Sequence, residues 1–333
     1  SARLQEGDAQ FFNKLHAAEH ISIEPLYRSE DADLAAGHFE PAEYGRPFSP
    51  MPGVNAVFSN AGHVLGSSMT QLDIATPAGC RRLVYTGDLG RAETLLLETP
   101  AAPKDADYLV IESTYGDRLH EPLGDASGKL ADTIKSAWKE GGKIIIPSFA
   151  LERTQEIVLI IDKLRHDRSV PEIPVYVDSP MAVSLTQIFN KHRAGLCFDA
   201  KFRDYAGWDG DPFGFDYVHY LRSKEESQTL NGRRGPMIII SASGMCEGGR
   251  ILHHLRNNIE DESTTILLVG YQAQGTLGRR LQDGEKKVRI FGLPHDVAAR
   301  VGTLHSFSSH ADKNDLLGFI KAVNPSRGVF LVH

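Results

Sequence analysis

The sequence has few cysteines and lacks a long hydrophobic run. Its 333 residues contain three cysteines, Cys80, Cys197 and Cys246, which are odd in number and far apart. Such a set does not form a disulfide framework, so we expect a reducing, cytoplasmic setting. No apolar stretch approaches the roughly 20 residues that a membrane-spanning helix needs, and no membrane partner is predicted.

Positive charge is not in excess either. The formal net charge is −7, which argues against broad, nonspecific binding of nucleic acid. A composition of 41% hydrophobic and 24% charged residues is typical of a globular protein, and the length favours two domains. The first residues, SARLQEGDAQ, resemble the middle of a domain. We therefore expect the natural N-terminus to lie upstream.

Short β-rich runs alternate with helical stretches along the chain. The predicted strands lie in 81–88, 107–114, 143–149, 174–180, 236–244, 264–272 and 287–292. Helices are predicted at 127–140 and 151–166, whereas 209–220 is predicted to be irregular. Continuous Ile/Val runs followed by crossover helices indicate an α/β fold with buried parallel strands. Functional groups in such sheets collect at the carboxyl ends of the strands.

Polar side chains follow several of these strands. His63 stands in FSNAGHVLGSSM among glycines and serines, where the backbone can approach a ligand closely. It can equally be an ordinary loop histidine, because a lone histidine is a weak metal signal. Asp88 ends one strand and can coordinate a metal or cap the next turn. Glu112 ends the next strand, and Asp117 follows it.

The C-terminal segment carries further histidines. His310 lies in HSFSSHADKNDL, where Asp312 can cap the helix that follows. His333 ends a strand, as Asp88 does. His305 lies beside an apolar stretch and is predicted to be packed. Several such groups at strand ends predict one shared site.

Motifs along the whole chain resemble the metallo-β-lactamase-fold nucleases of the β-CASP group, which includes ribonuclease J and the nuclease subunit of the mRNA cleavage and polyadenylation factor. The motifs are NAGHVLGSS, VYTGDLGR, IESTYGDR, IPSFALERTQE, SASGMCEGGRILHHL, GYQAQGTLGRRL, FSSHADKNDL and GVFLVH. Their order and spacing follow the family pattern. The resemblance implies an αββα sandwich of metallo-β-lactamase type, interrupted by a Rossmann-like β-CASP domain with a mainly parallel sheet. It places the first domain at 1–117 and 304–333 and the inserted domain at 118–303.

The same resemblance implies a zinc site and a catalytic pair. His63, Asp88 and His333 stand where the family holds two zinc ions, with the aspartate bridging them. Glu112 matches the first signature acid of the group, and His310 matches the second signature. A histidine such as His333 at the third signature is typical of RNA processing, whereas valine there is associated with DNA repair.

One family motif is missing. The metal-binding string His-x-His-x-Asp-His does not occur in these 333 residues. LHAAEH at 15–20 has the wrong spacing and is predicted to be helical. We expect the remaining zinc ligands upstream of residue 1. A chain without them is predicted to hold metal poorly, because affinity depends on the full ligand set.

The mechanism that the resemblance implies is hydrolysis of RNA. Two zinc ions about 3.5–4 Å apart would activate a hydroxide for attack on phosphorus. His310 would protonate the leaving oxygen, with Glu112 holding it in place. RNA would lie in the cleft between the domains, and a homodimer is compatible with the family. The predicted RNA-binding residues are Ser148, Arg153, Ser243, Gly244, Arg250, Tyr271, Gln272 and Thr276.

Two other functions stay open at this point. One is an inactive family member that binds RNA or acts as a scaffold in a processing complex. The other is a small-molecule metallo-hydrolase on the same fold. The inserted domain argues against the latter, because a small substrate does not need a second wall.

Overall fold

The computed structural model describes residues 2–15 and 22–333. This part of the chain forms two compact units, Ser1–Arg46 and Pro47–His333. The first unit contains helices α1 (Ala2–Leu15) and α2 (Ser29–Ala36). The side chain of Asn13 both donates to and accepts from the backbone of Ile23, at 2.9 and 2.8 Å. The segment predicted to be helical at 15–20 lies, beyond Leu15, outside the described residues.

The second unit contains two six-stranded sheets. The first has the order β1-β2-β3-β4-β5-β14. Its strands are β1 (Phe48–Met51), β2 (Val54–Asn60), β3 (Ser68–Thr76), β4 (Gly79–Tyr85), β5 (Tyr108–Glu112) and β14 (Gly328–Val332). β1 to β4 pair antiparallel, whereas β4, β5 and β14 are parallel neighbours. Strands β2, β4, β5 and β14 therefore run in one direction and end at one edge.

The second sheet is parallel at every pair of neighbouring strands and has the order β13-β10-β6-β9-β7-β8. Its strands are β6 (Lys143–Pro147), β7 (Val175–Val177), β8 (Val218–Tyr220), β9 (Met237–Ser241), β10 (Thr265–Val269) and β13 (Arg300–Leu304). The central strands are buried on both faces, as their continuous Ile/Val runs predict. The α/β class expected from the sequence is confirmed.

Helices cover both sheets. They are α3 (Leu123–Glu140), α4 (Arg153–His166), α5 (Pro180–His192), α6 (Ala200–Asp209), α7 (Lys224–Gly232), α8 (Ile251–Asn258), α9 (Leu277–Gln282) and α10 (Lys313–Val323). Leu316 and Phe319 of α10 pack on the first sheet with Leu109 and Ile111. No helix among the residues described has the length and apolar character needed to cross a membrane.

One predicted strand was assigned to the wrong sheet. Residues 287–292 were expected to form a buried parallel strand, but β11 (Lys287–Ile290) pairs antiparallel with β12 (Leu293–Asp296). Only alternate residues, Val288 and Ile290, are buried, which is the pattern of a strand with one solvent face. The two-residue connection permits only a hairpin, because a parallel pair needs a crossover.

Two smaller expectations are also corrected. The irregular segment 209–220 ends in a short edge strand, β8, so only its first part lacks regular structure. The side chain of His305 is exposed rather than packed.

The two sheets occupy separate parts of the sequence. Strands of the first sheet lie within 48–112 and 328–332, and those of the second lie within 143–304. This division resembles that of the predicted domains, which are 1–117 with 304–333 and 118–303. The exact bounds of these domains stay a prediction. Leu96 and Leu97, which precede β5, pack into the core of the second sheet.

Candidate active site

Close contact between two glycines brings His63 next to Asp88. The amide of Gly90 donates to the carbonyl of Ala61 at 2.8 Å. A Cβ on Gly90 would lie 2.1 Å from the oxygen of Gly62, so only glycine allows this approach. The hydroxyl of Ser67 accepts from the backbone amides of His63 and Val64 at 3.2 Å each. The small residues around His63 therefore serve to join the loops after β2 and β4.

Asp88 lies between two imidazoles. Its Oδ2 is 3.7 Å from Nε2 of His63, and its Oδ1 is 3.8 Å from Nδ1 of His333. The aspartate side chain is half exposed, whereas that of His63 is only 14% exposed. Each carboxylate oxygen thus faces a different histidine.

His310 is held by a buried carboxylate. Its Nδ1 lies 2.9 Å from Oε2 and 3.0 Å from Oε1 of Glu112, which has no exposed side-chain surface. The amide of Leu89 donates to the same carboxylate at 2.5 Å. The ring of His310 lies 4.4 Å from that of His63, centroid to centroid. The predicted pair is therefore close in space, next to the aspartate and the other histidines.

Strand register explains the position of His333. Val332 of β14 is paired with Glu112 of β5, so the next residue lies beside the segment that follows Glu112. Nδ1 of His333 is 2.6 Å from the hydroxyl of Thr114, which itself donates to Oε2 of Glu112 at 2.5 Å. Thr114 links the two groups and was not predicted. Its position two residues after Glu112, on the same side of an extended chain, was the available signal.

A second residue that sequence reasoning missed is His120. Its Nε2 lies 2.9 Å from the carbonyl oxygen of His310, and its ring lies 4.6 Å from that of Tyr115. Its amide donates to Asp312 at 3.1 Å. Asp312 also accepts from two amides of the first turn of α10, so its predicted role as a helix cap is confirmed. No motif in the sequence marks His120, because its contact is with the backbone of a residue 190 positions away.

Burial and neighbouring charge shape the protonation of the site. Burial, followed by the nearby His310, lowers the pKa of His63 below its ordinary value, although Asp88 and Glu112 act in the opposite direction. Burial raises the pKa of Glu112, but hydrogen bonds from His310, Thr114 and the amide of Leu89 outweigh it, and the pKa is lowered overall. Glu112 is therefore an anion at neutral pH.

Comparison with known proteins gives the family. A Beta-Casp domain model matches residues 154–281, and a model of the Zn-dependent metallo-hydrolase RNA specificity domain matches residues 294–333. The chain is 35% identical to Ribonuclease TTHA0252 of Thermus thermophilus over 319 residues, which cover 96% of this chain and 71% of that protein. The chain belongs to the β-CASP ribonuclease family of metallo-β-lactamase fold.

Other relatives in the β-CASP family carry different names. An RNase J-like protein of Methanocaldococcus jannaschii is 30% identical over 316 residues, which cover 94% of this chain and 71% of that protein. Transcription termination factor FttA of Methanothermobacter thermautotrophicus is 33% identical over 323 residues, which cover 92% of this chain and 50% of that protein. The chain thus spans half the length of this termination factor. The resemblance stated from the motifs is confirmed.

The donor atoms of this β-CASP chain fit a zinc ion. Donor atoms of His63, Asp88 and His310 lie within 4.8 Å of one another, as do those of Glu112, His310 and His333. The predicted ligands His63, Asp88 and His333 do not form such a group in the described residues, and Asp88 is the residue that lies next to both of the others. Imidazole nitrogen and carboxylate oxygen are ligands that zinc prefers. Two ligands on a tetrahedral ion with bonds of about 2.0 Å lie about 3.3 Å apart, close to the separations on either side of Asp88. Asp117, in contrast, is exposed and pairs with Arg118.

A third group of possible metal ligands is already paired with an arginine side chain. Asp162, His166 and Asp209 have donor atoms within 4.8 Å of one another. A guanidinium nitrogen of Arg165 lies 3.2 Å from Asp162 and 3.3 Å from the His166 ring. This group is therefore an ion-pair network within the β-CASP domain.

A cavity of about 320 Å³ opens beside the two central histidines. It is lined by His63, Val64, Thr114, Tyr115, Phe149, Leu151, Arg153, Met245, Val269, Gly270, Tyr271, Phe307, Ser308, Ser309 and His310. The segments that follow β2 and β5 of the first sheet and strand β10 of the second contribute to this wall. Of the predicted RNA-binding residues, Arg153 and Tyr271 line it, and Tyr271 is 48% exposed.

Several predicted RNA-binding residues point into the protein instead. Ser148 and Gln272 are each 1% exposed. Ser148 lies 3.1 Å from the hydroxyl of Thr154, and the amide of Gln272 donates to the carbonyl of Gly244 at 3.1 Å. Burial argues against direct contact of these two side chains with RNA in this conformation, although Oε1 of Gln272 has no hydrogen-bond partner.

The others have structural partners as well. Arg250 donates to the buried carboxylate of Asp178 at 2.6 Å and to the carbonyl of Arg222 at 2.7 Å. Thr276 caps α9 by accepting from the amide of Arg279. The hydroxyl of Ser243 accepts from the amide of Glu247 at 3.1 Å, and Gly244 is buried. These groups shape the loops around the cavity.

Proposed function

We propose that the protein is a zinc-dependent ribonuclease that hydrolyses phosphodiester bonds of RNA in RNA processing or decay. The observation that carries the proposal is the bidentate contact of Glu112 with His310, at 2.9 and 3.0 Å, beside His63 and Asp88. A binding scaffold needs no buried carboxylate behind a histidine. Membership of a family that acts on RNA supports the substrate class.

His63, Asp88 and His333 are the proposed protein ligands of the zinc centre. The two oxygens of Asp88 face different histidines, so this carboxylate could bind a metal ion together with either ring. Zinc supplies Lewis acidity toward the phosphate and lowers the pKa of a water molecule that it binds. Burial keeps the pKa of His63 low, so its ring is neutral and free to act as a ligand.

His310 is the proposed general acid. Its Nδ1 is bound by Glu112, so Nε2 is the nitrogen left to exchange a proton with the substrate. The two carboxylate oxygens of Glu112 hold the ring in one orientation through Nδ1. His310 lines the cavity between the two sheets, so this proton can be delivered to the leaving oxygen of a phosphodiester bound there.

The proposal is tested with end-labelled single-stranded RNA and zinc-reconstituted protein that includes the ligands expected upstream of residue 1. We expect cleavage that chelation abolishes and zinc restores. His310→Ala should lower the rate by about 10²–10⁴-fold. His219→Ala is the matched control, because this exposed histidine lies on the edge strand β8. Retention of RNA without cleavage under every metal condition would favour the scaffold function instead.

A further inference from the structure

The segment that follows β5 runs beside the segment that carries His310. Tyr115 of the first segment pairs with Asp312 of the second in a parallel bridge. The amide of His120 then donates to Oδ2 of Asp312 at 3.1 Å. Contacts from the segment after β5 therefore hold the chain on the C-terminal side of His310.

The side chain of His120 contacts the proposed general acid itself. Its Nε2 lies 2.9 Å from the carbonyl oxygen of His310. A carbonyl oxygen only accepts hydrogen bonds, so Nε2 carries a proton and donates. Burial lowers the pKa of His120, although the bond to His310 and the charges of Asp312 and Asp315 act in the opposite direction. The ring is therefore neutral at neutral pH, and its single N–H is on the nitrogen that faces His310.

His310 is thus held both at its ring and at its backbone. Glu112 binds Nδ1 of the imidazole, and His120 binds the peptide carbonyl of the same residue. The ring of Tyr115 lies beside both histidines, 4.6 Å from His120 and 6.1 Å from His310. A general acid must come within about 2.6–3.2 Å of the atom that it protonates. A small movement of this backbone would therefore carry the imidazole out of reach.

His120 has no place in the lining of the cavity beside His63 and His310, as far as the described residues define it. Its side chain is half-buried behind the chain that carries His310. A role of His120 in the reaction would therefore be exerted through His310. Such a role predicts a change in kcat with little change in KM, because the contacts with bound substrate are unaltered.

We infer that His120 is a positioning residue, which holds the backbone of His310 where its imidazole can reach the leaving oxygen. The inference rests on the proposed ribonuclease function and adds a residue to its machinery. Misplacement of a catalytic group by about 1 Å can lower a rate by about 100-fold. Loss of the donor at Nε2 of His120 should therefore lower kcat by about 10- to 100-fold.

Three substitutions separate the hydrogen bond from the bulk of the side chain. His120→Leu keeps most of the volume and removes the donor. His120→Gln keeps an N–H near the position of Nε2, whereas the shorter side chain of His120→Asn does not reach the carbonyl. If His120→Leu does not fold, His120→Asn takes its place, because it keeps a polar side chain.

The first test measures RNA cleavage by zinc-reconstituted protein that includes the ligands expected upstream of residue 1. His120→Leu and His120→Asn should lower kcat by about 10- to 100-fold, with KM and zinc content nearly unchanged. His120→Gln should keep most of the rate. His295→Leu is the control, because this histidine of β12 is also half-buried and its side chain bonds to Glu260. Equal losses for His120→Gln and His120→Asn would overturn the inference.

Two further readouts distinguish positioning from a purely structural role. On a nitrophenyl phosphodiester, whose leaving group needs no proton, His120→Leu should lose little rate. In the His310→Ala background, His120→Leu should cause no further loss on RNA, because the group that it positions is gone. Equal losses on both substrates, or losses that multiply with that of His310→Ala, would show that His120 acts only on the fold.

Failure of the inference can be told apart from failure of the proposed function. An unchanged rate for His120→Leu, together with the expected loss for His310→Ala, would refute the role of His120 alone. If the wild type cleaves no RNA, the ribonuclease is refuted and NMR of isotope-labelled histidine tests the positioning by itself. The ring signal of His310, assigned by its loss in His310→Ala, should shift in His120→Leu and return in His120→Gln. A signal that does not move would overturn the inference.

Discussion

Both carboxylate oxygens of Glu112 lie within 3.0 Å of Nδ1 of His310, although 198 residues separate the two in the chain. The carboxylate is fully buried and also accepts from Thr114 and the amide of Leu89. A buried charge with this many donors is held in one orientation. The pair therefore fixes the orientation of the imidazole.

The role of His310 can be separated from that of His333 by the leaving group. On RNA, His310→Ala should reduce the cleavage rate by about 10²–10⁴-fold with nearly unchanged zinc content. On a nitrophenyl phosphodiester, whose leaving group needs no proton, His310→Ala should recover most of its rate. His333→Ala should lose zinc and activity on both substrates. Equal losses of His310→Ala on both substrates would show that it holds the metal or the fold.

The zinc ligands can be tested without an activity assay. Asp88→Asn weakens a carboxylate that faces His63 and His333, so we expect lower zinc occupancy by elemental analysis. Asp204→Asn, at an exposed position of α6, should leave the zinc content unchanged. Unaltered zinc in the Asp88 variant would contradict the ligand assignment.

Thr114 is expected to position two groups at once. Thr114→Val removes the hydroxyl between Glu112 and His333 with little change in volume. Loss of such a supporting hydrogen bond typically costs about 10- to 100-fold in metal affinity or activity. Titration with a zinc chelator measures it. Thr133→Val is the control, because this half-buried threonine of α3 donates only to the carbonyl of Lys129 in its own helix. An unchanged zinc affinity together with an unchanged rate would show that the bridge is incidental.

The buried carboxyl group of Glu152 should make the free energy of unfolding depend on pH. Burial, and next the charge of Glu156, raise its pKa well above 4.5, while a bond from the amide of Leu65 and the charge of Arg153 act the other way. The folded protein thus keeps a proton that the unfolded chain releases. Its contribution to stability is full below pH 4.5 and declines as the pH rises toward the folded pKa.

Glu152→Gln removes this titration and keeps an oxygen that can accept from Leu65. We expect the variant to lose less stability than the wild type as the pH rises above 4.5, measured by urea unfolding. Glu225→Gln, on the exposed face of α7, should follow the wild type. Parallel pH profiles for the wild type and Glu152→Gln would contradict the raised pKa.

Arg250 is expected to act on stability rather than on RNA. It forms, with His254 and Ser227, a set of donors to the fully buried Asp178, at 2.5–2.6 Å. Arg250→Ala removes the cation that pairs with that buried carboxylate. Such a loss typically lowers the free energy of unfolding by about 3–5 kcal/mol. Thermal unfolding measures this, with the exposed Arg289→Ala as the control. A raised KM for RNA with unchanged stability would restore the RNA-binding hypothesis.

Local sequence determined which residues stand at strand ends. The Ile/Val runs of β6, β9 and β10 specify buried strands through burial on both faces, and their bounds match the predicted runs within a few residues. Glycines at 62 and 90 mark the turns that carry His63 and Asp88. Such features depend on neighbours in sequence, which is why composition and periodicity reveal them.

Tertiary structure alone decided which of these groups meet and which are buried. Residues 287–290 belong to whichever sheet contains their partner strand. Their short apolar pattern is compatible both with a buried parallel strand and with one strand of an antiparallel hairpin. Thr114 and His120 gain their roles from contacts with His333 and His310, some 200 residues away along the chain in each case. Ser148 and Gln272 lie in loop motifs that look accessible, yet packing buries them. Distance and solvent exposure are properties of contacts between remote segments, and a local pattern carries no information about those.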